Sequence, residues 1–210
     1  MKTRILTLAV AAAVGGATAA APVLADDGDH GDDRGNVVSA HEEARAHWRA
    51  QRGTEITEAT VRVSRDTTRD GTETTASIDL QKFDPTRRPD QPFVHYQAEC
   101  PPECFLPSSS FRVEDASHAR FDVTLRLPEV ASVPPQLRNV TFHLVWRGVG
   151  PKTTQRFANP DGTTTKAAAR PAVATGTITD GQNSFVQGTS DDADLQSVVT
   201  RMPGDDGDDD

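Results

Sequence analysis

Apolar and polar residues alternate with period two along most of this chain, and that period belongs to β-strands. Residues 119–127 read Ala-Arg-Phe-Asp-Val-Thr-Leu-Arg-Leu. Ala119, Phe121, Val123, Leu125 and Leu127 therefore share one face, and Arg120, Asp122, Thr124 and Arg126 share the other. Residues 140–147 repeat the pattern, with Val140, Phe142, Leu144 and Trp146 inward and Thr141, His143 and Arg147 outward. A slip of one residue would move each inward set into water, so the register of both strands is firmly set. Fainter alternation marks Ala59-Val61-Val63, Ala76-Ile78-Leu80 and Val94-Tyr96-Ala98-Cys100. Further β-prone runs lie at 153–158, 164–169, 173–179 and 195–201.

The punctuation suits hairpins. Arg69-Asp70-Gly71 and Asn159-Pro160-Asp161-Gly162 supply turn chemistry between neighbouring runs. The segment 128–139 is too long for a tight turn and predicts a crossing from one sheet to another. Residues 40–51 carry two patterns. Ser39 with Glu42 resembles a helix capping box, and Ala40, Ala44 and Trp48 have helical spacing, which would give a short helix ending at Gly53. Ala44, Ala46, Trp48 and Ala50 also alternate with Arg45, His47, Arg49 and Gln51, and the β-rich surroundings favour a strand over 44–51. Eight to ten strands with almost no helical period predict an all-β fold, an antiparallel β-sandwich or alternatively a β-barrel.

Composition changes the picture at the ends. Lys2 and Arg4, the apolar run Ile5–Val14 and the small-residue pattern Val23-Leu24-Ala25 read as a secretory signal peptide, 1–25, too short to span a bilayer. The net charge is −9 over 210 residues, and loss of Lys2 and Arg4 makes it more negative. Asp26, Asp27, Asp29, Asp32 and Asp33 crowd one end of the remainder, and Asp205, Asp206, Asp208, Asp209 and Asp210 crowd the other. Segments 26–38 and 204–210 hold too little apolar surface to offset their ordering entropy and are expected to be disordered acidic tails. The β domain then occupies 39–203. No basic stripe is present to neutralise phosphates, so neither nucleic acid nor an anionic membrane surface is an expected partner, and no stable membrane insertion is expected.

Candidate chemistry is sparse. Cys100 and Cys104, in Cys-Pro-Pro-Glu-Cys, read as a local disulfide in an exported chain. The spacing lacks the pattern of a redox pair, and no second Cys or His pair completes a zinc site. His30, His41, His47, His95, His118 and His143 show no metal-ligand spacing. Gly-x-Ser-x-Gly is absent, and Ser108, Ser109 and Ser110 read as a polar turn after Pro107. Asp27-Gly-Asp29-His-Gly-Asp32 and Asp191-Asp192-Ala-Asp194 offer hard oxygen ligands, which leaves calcium as the one cofactor to consider, although the twelve-residue loop ending in Glu is missing. Trp146 extends an apolar face and is expected in the core. Trp48 stands among alanines, where a sugar-stacking platform is the alternative to burial.

The run Val140-Thr-Phe-His-Leu-Val-Trp146-Arg-Gly148-Val-Gly150, with Ala44-Arg-Ala-His-Trp48 and the strand patterns at 59–64 and 119–127, resembles a loose group of uncharacterised secreted bacterial β-rich proteins. That resemblance implies an exported β fold and transfers no activity and no site residues. The sequence expectation is a secreted protein with a binding or structural role outside the cell or in the cell envelope, its partner an extracellular or envelope ligand. A secreted hydrolase with an unrecognised site and a calcium-assisted adhesion module are the alternatives.

Overall fold

The computed structural model describes residues 37–86, 93–114, 116–130, 132, 134 and 136–203. The expected signal peptide, the acidic segment as far as residue 36 and the tail 204–210 lie outside the described residues. Ten strands follow in order: β1 Val37–Arg52, β2 Glu55–Thr68, β3 Gly71–Phe83, β4 Val94–Cys100, β5 Phe111–Glu114, β6 His118–Glu129, β7 Gln136–Gly148, β8 Thr153–Ala158, β9 Thr164–Thr179 and β10 Asp192–Arg201. The fold is all-β and antiparallel, as the alternation predicts.

All ten strands join one sheet in the order β10-β1-β2-β3-β4-β6-β7-β9-β8, with β5 on the edge of β6. Because β10 also pairs with β9, the ladder closes into a ring, an arrangement that a flattened barrel and a sandwich share. The inner faces supply the core. Val61, Leu80, Phe121, Phe142, Leu144 and Trp146 are all fully buried, and each such side chain contributes roughly 1.5–3 kcal/mol on leaving water. Both indoles are interior, Trp48 at 2% exposure and Trp146 at 0%. Each faces alanines on its neighbours: Trp48 lies opposite Ala59, and Trp146 opposite Ala119 and Ala174. The small side chains make the room the rings fill, so burial wins over the sugar-platform alternative.

Residues 44–51 are strand, since each residue of 39–52 has a partner on β2, which a helix would forfeit. Three expectations are corrected. β1 starts at Val37, so Val37 and Val38 belong to the folded body rather than to the acidic segment ending at 38. The runs 164–169 and 173–179 are one strand, β9. Pro171 sits in its middle where β8 has ended opposite Ala169 and β7 begins opposite Ala172. The carbonyl of Pro171 accepts from Val149 on that same edge, so the missing N–H costs no ladder bond. Finally, 128–139 is no crossover. Glu129 pairs directly with Gln136, and β6 and β7 form a hairpin.

Candidate binding site

The ring is not evenly sealed. β4 and β6 pair at one position, Tyr96 opposite Glu129, supported by the amide of Val130 donating to the carbonyl of His95 at 2.9 Å. At the other end of the same β6 edge, β5 pairs from Phe111 opposite Phe121 to Glu114 opposite His118. Between these two contacts, β6 residues 122–128 have no registered partner on that side among the described residues, although β4 and the turn Ser108–Ser110 lie against β6 there. The direction of the main-chain groups follows from two bonds. Val130, an even position, donates toward β4, while the carbonyl of Ser117, an odd one, accepts from Gly148 at the end of β7. With the β6–β7 register unbroken, the amides and carbonyls of Asp122, Thr124 and Arg126 therefore point into the seam.

The facing side of the seam is closed by the cysteine loop. Cys100 and Cys104 form the expected disulfide. Inside that short ring, the amide of Glu103 donates to the carbonyl of Glu99 at 3.0 Å, and the Glu99 amide donates to Glu103 Oε2 at 2.8 Å. The amide and carbonyl of Glu99, near the end of β4, are thus both satisfied by its own loop. Phe105 follows, 83% exposed, although its neighbour Leu106 is buried. A groove of 670 Å3 runs along this loop between Thr72–Thr74 and Pro101–Leu106, and the buried Thr74 hydroxyl on its wall has no hydrogen-bond partner.

At the β5 end the seam opens into a cleft of 300 Å3 lined by Ser109, Ser110, Arg112, Arg120 and Asp122. The registration Phe111 opposite Phe121, with both rings buried, forces Arg112 directly opposite Arg120 on the outer face. Like charges so placed repel. Arg120 is paired with the Asp122 carboxylate, whereas Arg112 has no carboxylate partner among the described residues. β5 is held in this position from inside. Arg65, ion-paired to Glu42 on the inner face, extends Nη1 to the carbonyl of Phe111 at 3.4 Å. Asp122 accepts a second bond, from His143 Nδ1 at 2.7 Å, and Arg120 followed by His143 holds its carboxyl below the usual range.

The other residues weighed from the sequence are scattered. His95 Nε2 lies 3.2 Å from Asp79, off the line needed for a hydrogen bond, and His47 meets Thr60 at 3.1 Å. Ser110 is buried with its hydroxyl donating to Pro107 at 2.6 Å. In 191–194, the Asp191 carboxylate accepts from the amide of Arg49 at 2.6 Å and Asp194 accepts from Gln196 at 3.3 Å, so these acids serve separate partners. No group of three or more His, Cys, Asp or Glu side chains converges to hold a metal among the described residues, and the acids at 27–32 lie outside them. A second polar cluster, on the outer face of β1 and β2, was not signalled by any motif. His41 Nδ1 meets Asp66 at 2.7 Å, and the nearly buried Glu43 lies 3.6 Å from His41 Nε2 and 2.7 Å from Arg62. Arg112 was equally silent in the sequence, since β5 is only four residues long and its alternation falls below notice.

No protein-family model and no curated protein matches this chain. Among solved structures it is similar to a crystal structure from Nitrosomonas europaea given the provisional name AttH, at 10% identity and a TM-score of 0.37. The match covers 85% of this chain and 57% of that one, so the chain spans little more than half of that protein's length. A likeness this distant carries no argument about function.

Proposed function

We propose that this is an exported binding protein that works outside the cell or in the envelope, with the cleft at the β5 end of the seam as its binding surface. The observation that carries the reading is that cleft, where Arg112, which has no carboxylate partner among the described residues, stands directly opposite Arg120. The basic start and apolar run of residues 1–25 support export, and the Cys100–Cys104 bridge suits an oxidising compartment.

The test compares the full chain, expressed for export, with its Arg112→Gln variant after immobilisation over secreted and envelope material. Glutamine at this exposed position removes the cleft's unpaired positive charge and leaves the β5–β6 ladder intact. Retention by the parent and loss by the variant supports the reading; equal retention, or none by either, removes it.

One observation favours a second reading, hydrolysis. A histidine whose Nδ1 is held by a carboxylate, as His143 is by Asp122, has the orientation a general base needs, and Ser109 lines the cleft that Asp122 shares. No hydroxyl bonds the second nitrogen of His143 among the described residues, and its side chain is 58% exposed. Labelling of Ser109 by a fluorophosphonate, lost in His143→Ala, is the result that would promote this alternative.

A further inference from the structure

We infer that the cleft at the start of β5 holds a sugar acid, its carboxylate against Arg112 and Arg120 and its hydroxyl groups against Ser109 and Asp122. This rests on the binding role proposed above and names the class of ligand.

Register sets the charge. Phe111 opposite Phe121 buries both rings, and the alternation that follows leaves Arg112 and Arg120 face to face on the outer side of the ring. Glu114, the next acid on that side of β5, stands opposite His118 instead. The cleft wall therefore carries two guanidinium groups and one carboxylate, that of Asp122, which Arg120 and His143 keep ionised. One positive charge is left over, and it belongs to Arg112. A monoanion balances it. A phosphate monoester, with a charge of about −1.5 to −2 at neutral pH, brings more than this wall can neutralise.

Geometry narrows the anion. A carboxylate is planar and matches the forked donors of a guanidinium group in a bidentate pair. Set between two such groups, it also relieves the repulsion that direct opposition imposes on them.

The remaining wall describes the rest of the ligand. The cleft, at 300 Å3, is small, and all of its lining residues, Ser109, Ser110, Arg112, Arg120 and Asp122, are polar or charged. An apolar acid finds no apolar surface to cover there. Hydroxyl groups beside the carboxylate do find partners. Ser109 is exposed on the wall, and its hydroxyl can both donate and accept. Asp122 takes one bond on each oxygen, from Arg120 at Oδ2 and from His143 at Oδ1, and each oxygen keeps a lone pair for a ligand hydroxyl. A sugar acid joins these two chemistries in one small molecule, either free or as a unit of an acidic polysaccharide.

The experiment titrates the isotope-labelled full chain with galacturonate, trigalacturonate, galactose and inorganic phosphate, and follows amide resonances. Galacturonate is expected to shift Ser109, Arg112 and Asp122, and galactose to leave them unmoved. Arg112→Gln is expected to weaken galacturonate roughly tenfold, the scale of losing hydrogen bonds to a charged group. Arg126→Gln removes an exposed arginine of β6 outside the cleft and is expected to leave the affinity unchanged. Tighter binding of the trimer than of the monomer supports the polysaccharide as the source, and equal binding supports the free acid. Equal weakening by the two variants overturns the site in favour of diffuse surface charge. Phosphate binding at these residues as tightly as galacturonate overturns the carboxylate assignment. No shift from either acid overturns the ligand class, while the binding role of the cleft still stands or falls on the Arg112-dependent retention of envelope material.

Discussion

The phenol of Tyr96 donates to Asp180 Oδ2 at 2.8 Å, across 84 residues of chain. Tyr96 is also the residue of β4 that pairs with β6, and its ring meets Phe185 edge-on at 5.7 Å between centroids. One side chain therefore ties the sealed end of the seam to the loop that follows β9. Burial, then Asp180, pushes the phenol well above its ordinary value. Burial also works against the Asp180 carboxylate, but bonds from Asn183 and Gln182 hold it below the usual range.

Tyr96→Phe is expected to cost about 2 kcal/mol, the scale of a hydrogen bond to a charged group. The sign in pH follows from the raised phenol: its contribution is complete below about pH 10 and is lost as the solution becomes more alkaline. Denaturant titration of parent and variant at pH 7 and pH 11 should show the gap narrowing at the higher pH. Hydrogen exchange at Val130, whose amide bonds to His95 beside Tyr96, should quicken in the variant.

His41 gives a second window. Glu43 first, then Asp66, raise its pKa from 6.5 to about 9 against an opposing effect of burial. A raised base stabilises the fold fully below its unfolded value, and that stabilisation disappears as pH climbs through the folded one. The His41 side chain is 40% exposed, so the effect is screened and worth roughly 0.5 kcal/mol. His41→Asn is therefore expected to lower the melting temperature slightly at pH 6 and not at pH 10. Glu43→Gln should return the His41 titration, followed by NMR, toward 6.5.

Gly176 stands opposite Leu144 with φ of +139°, and a Cβ there would lie 1.9 Å from the carbonyl oxygen of His143. Backbone cannot yield as a flexible side chain can. Gly176→Ala should cost about 3 kcal/mol or more. Gly150 is the control: its φ is +70° but a methyl group there would meet nothing within 4 Å, and Gly150→Ala should cost about 1 kcal/mol. Similar losses at the two positions in thermal melts would contradict the close approach.

The disulfide closes a loop of sequence separation 4, and chain entropy gives so small a loop only about 2 kcal/mol. Reduction, or Cys100→Ser with Cys104→Ser, should lower the melting temperature by about 4–8 °C without unfolding the ring at 25 °C. Local consequences should exceed the global one. Exchange of the Glu99 and Glu103 amides, both bonded within the loop, is expected to accelerate far more than exchange in β2 or β7.

Much of the fold was legible because burial repeats every second residue. Phe121, Leu125, Phe142 and Leu144 declare their faces without reference to anything else in the chain, and the structure buries all four. The Arg69-Asp70 turn was readable for the same local reason. Residues 44–51 were ambiguous because alanine suits both periods, and only pairing with β2 and β10 settles them. The candidate site was hardly visible. Arg120 and Asp122 look in sequence like any solvated strand face, and Arg112 lies in a run of four.

Taken alone, the order of residues determined which side chains leave water, where hairpins turn and where two cysteines sit close enough to join. These depend on neighbours within a few positions, whose chemistry does not wait for the rest of the chain. Tertiary structure alone decided that β4 parts from β6 after Tyr96, that β5 stops where it does, and that Arg112 comes opposite Arg120. Each of these is a meeting of elements across a ring, and the free energy of such a meeting resides in register and closure rather than in local residue pattern.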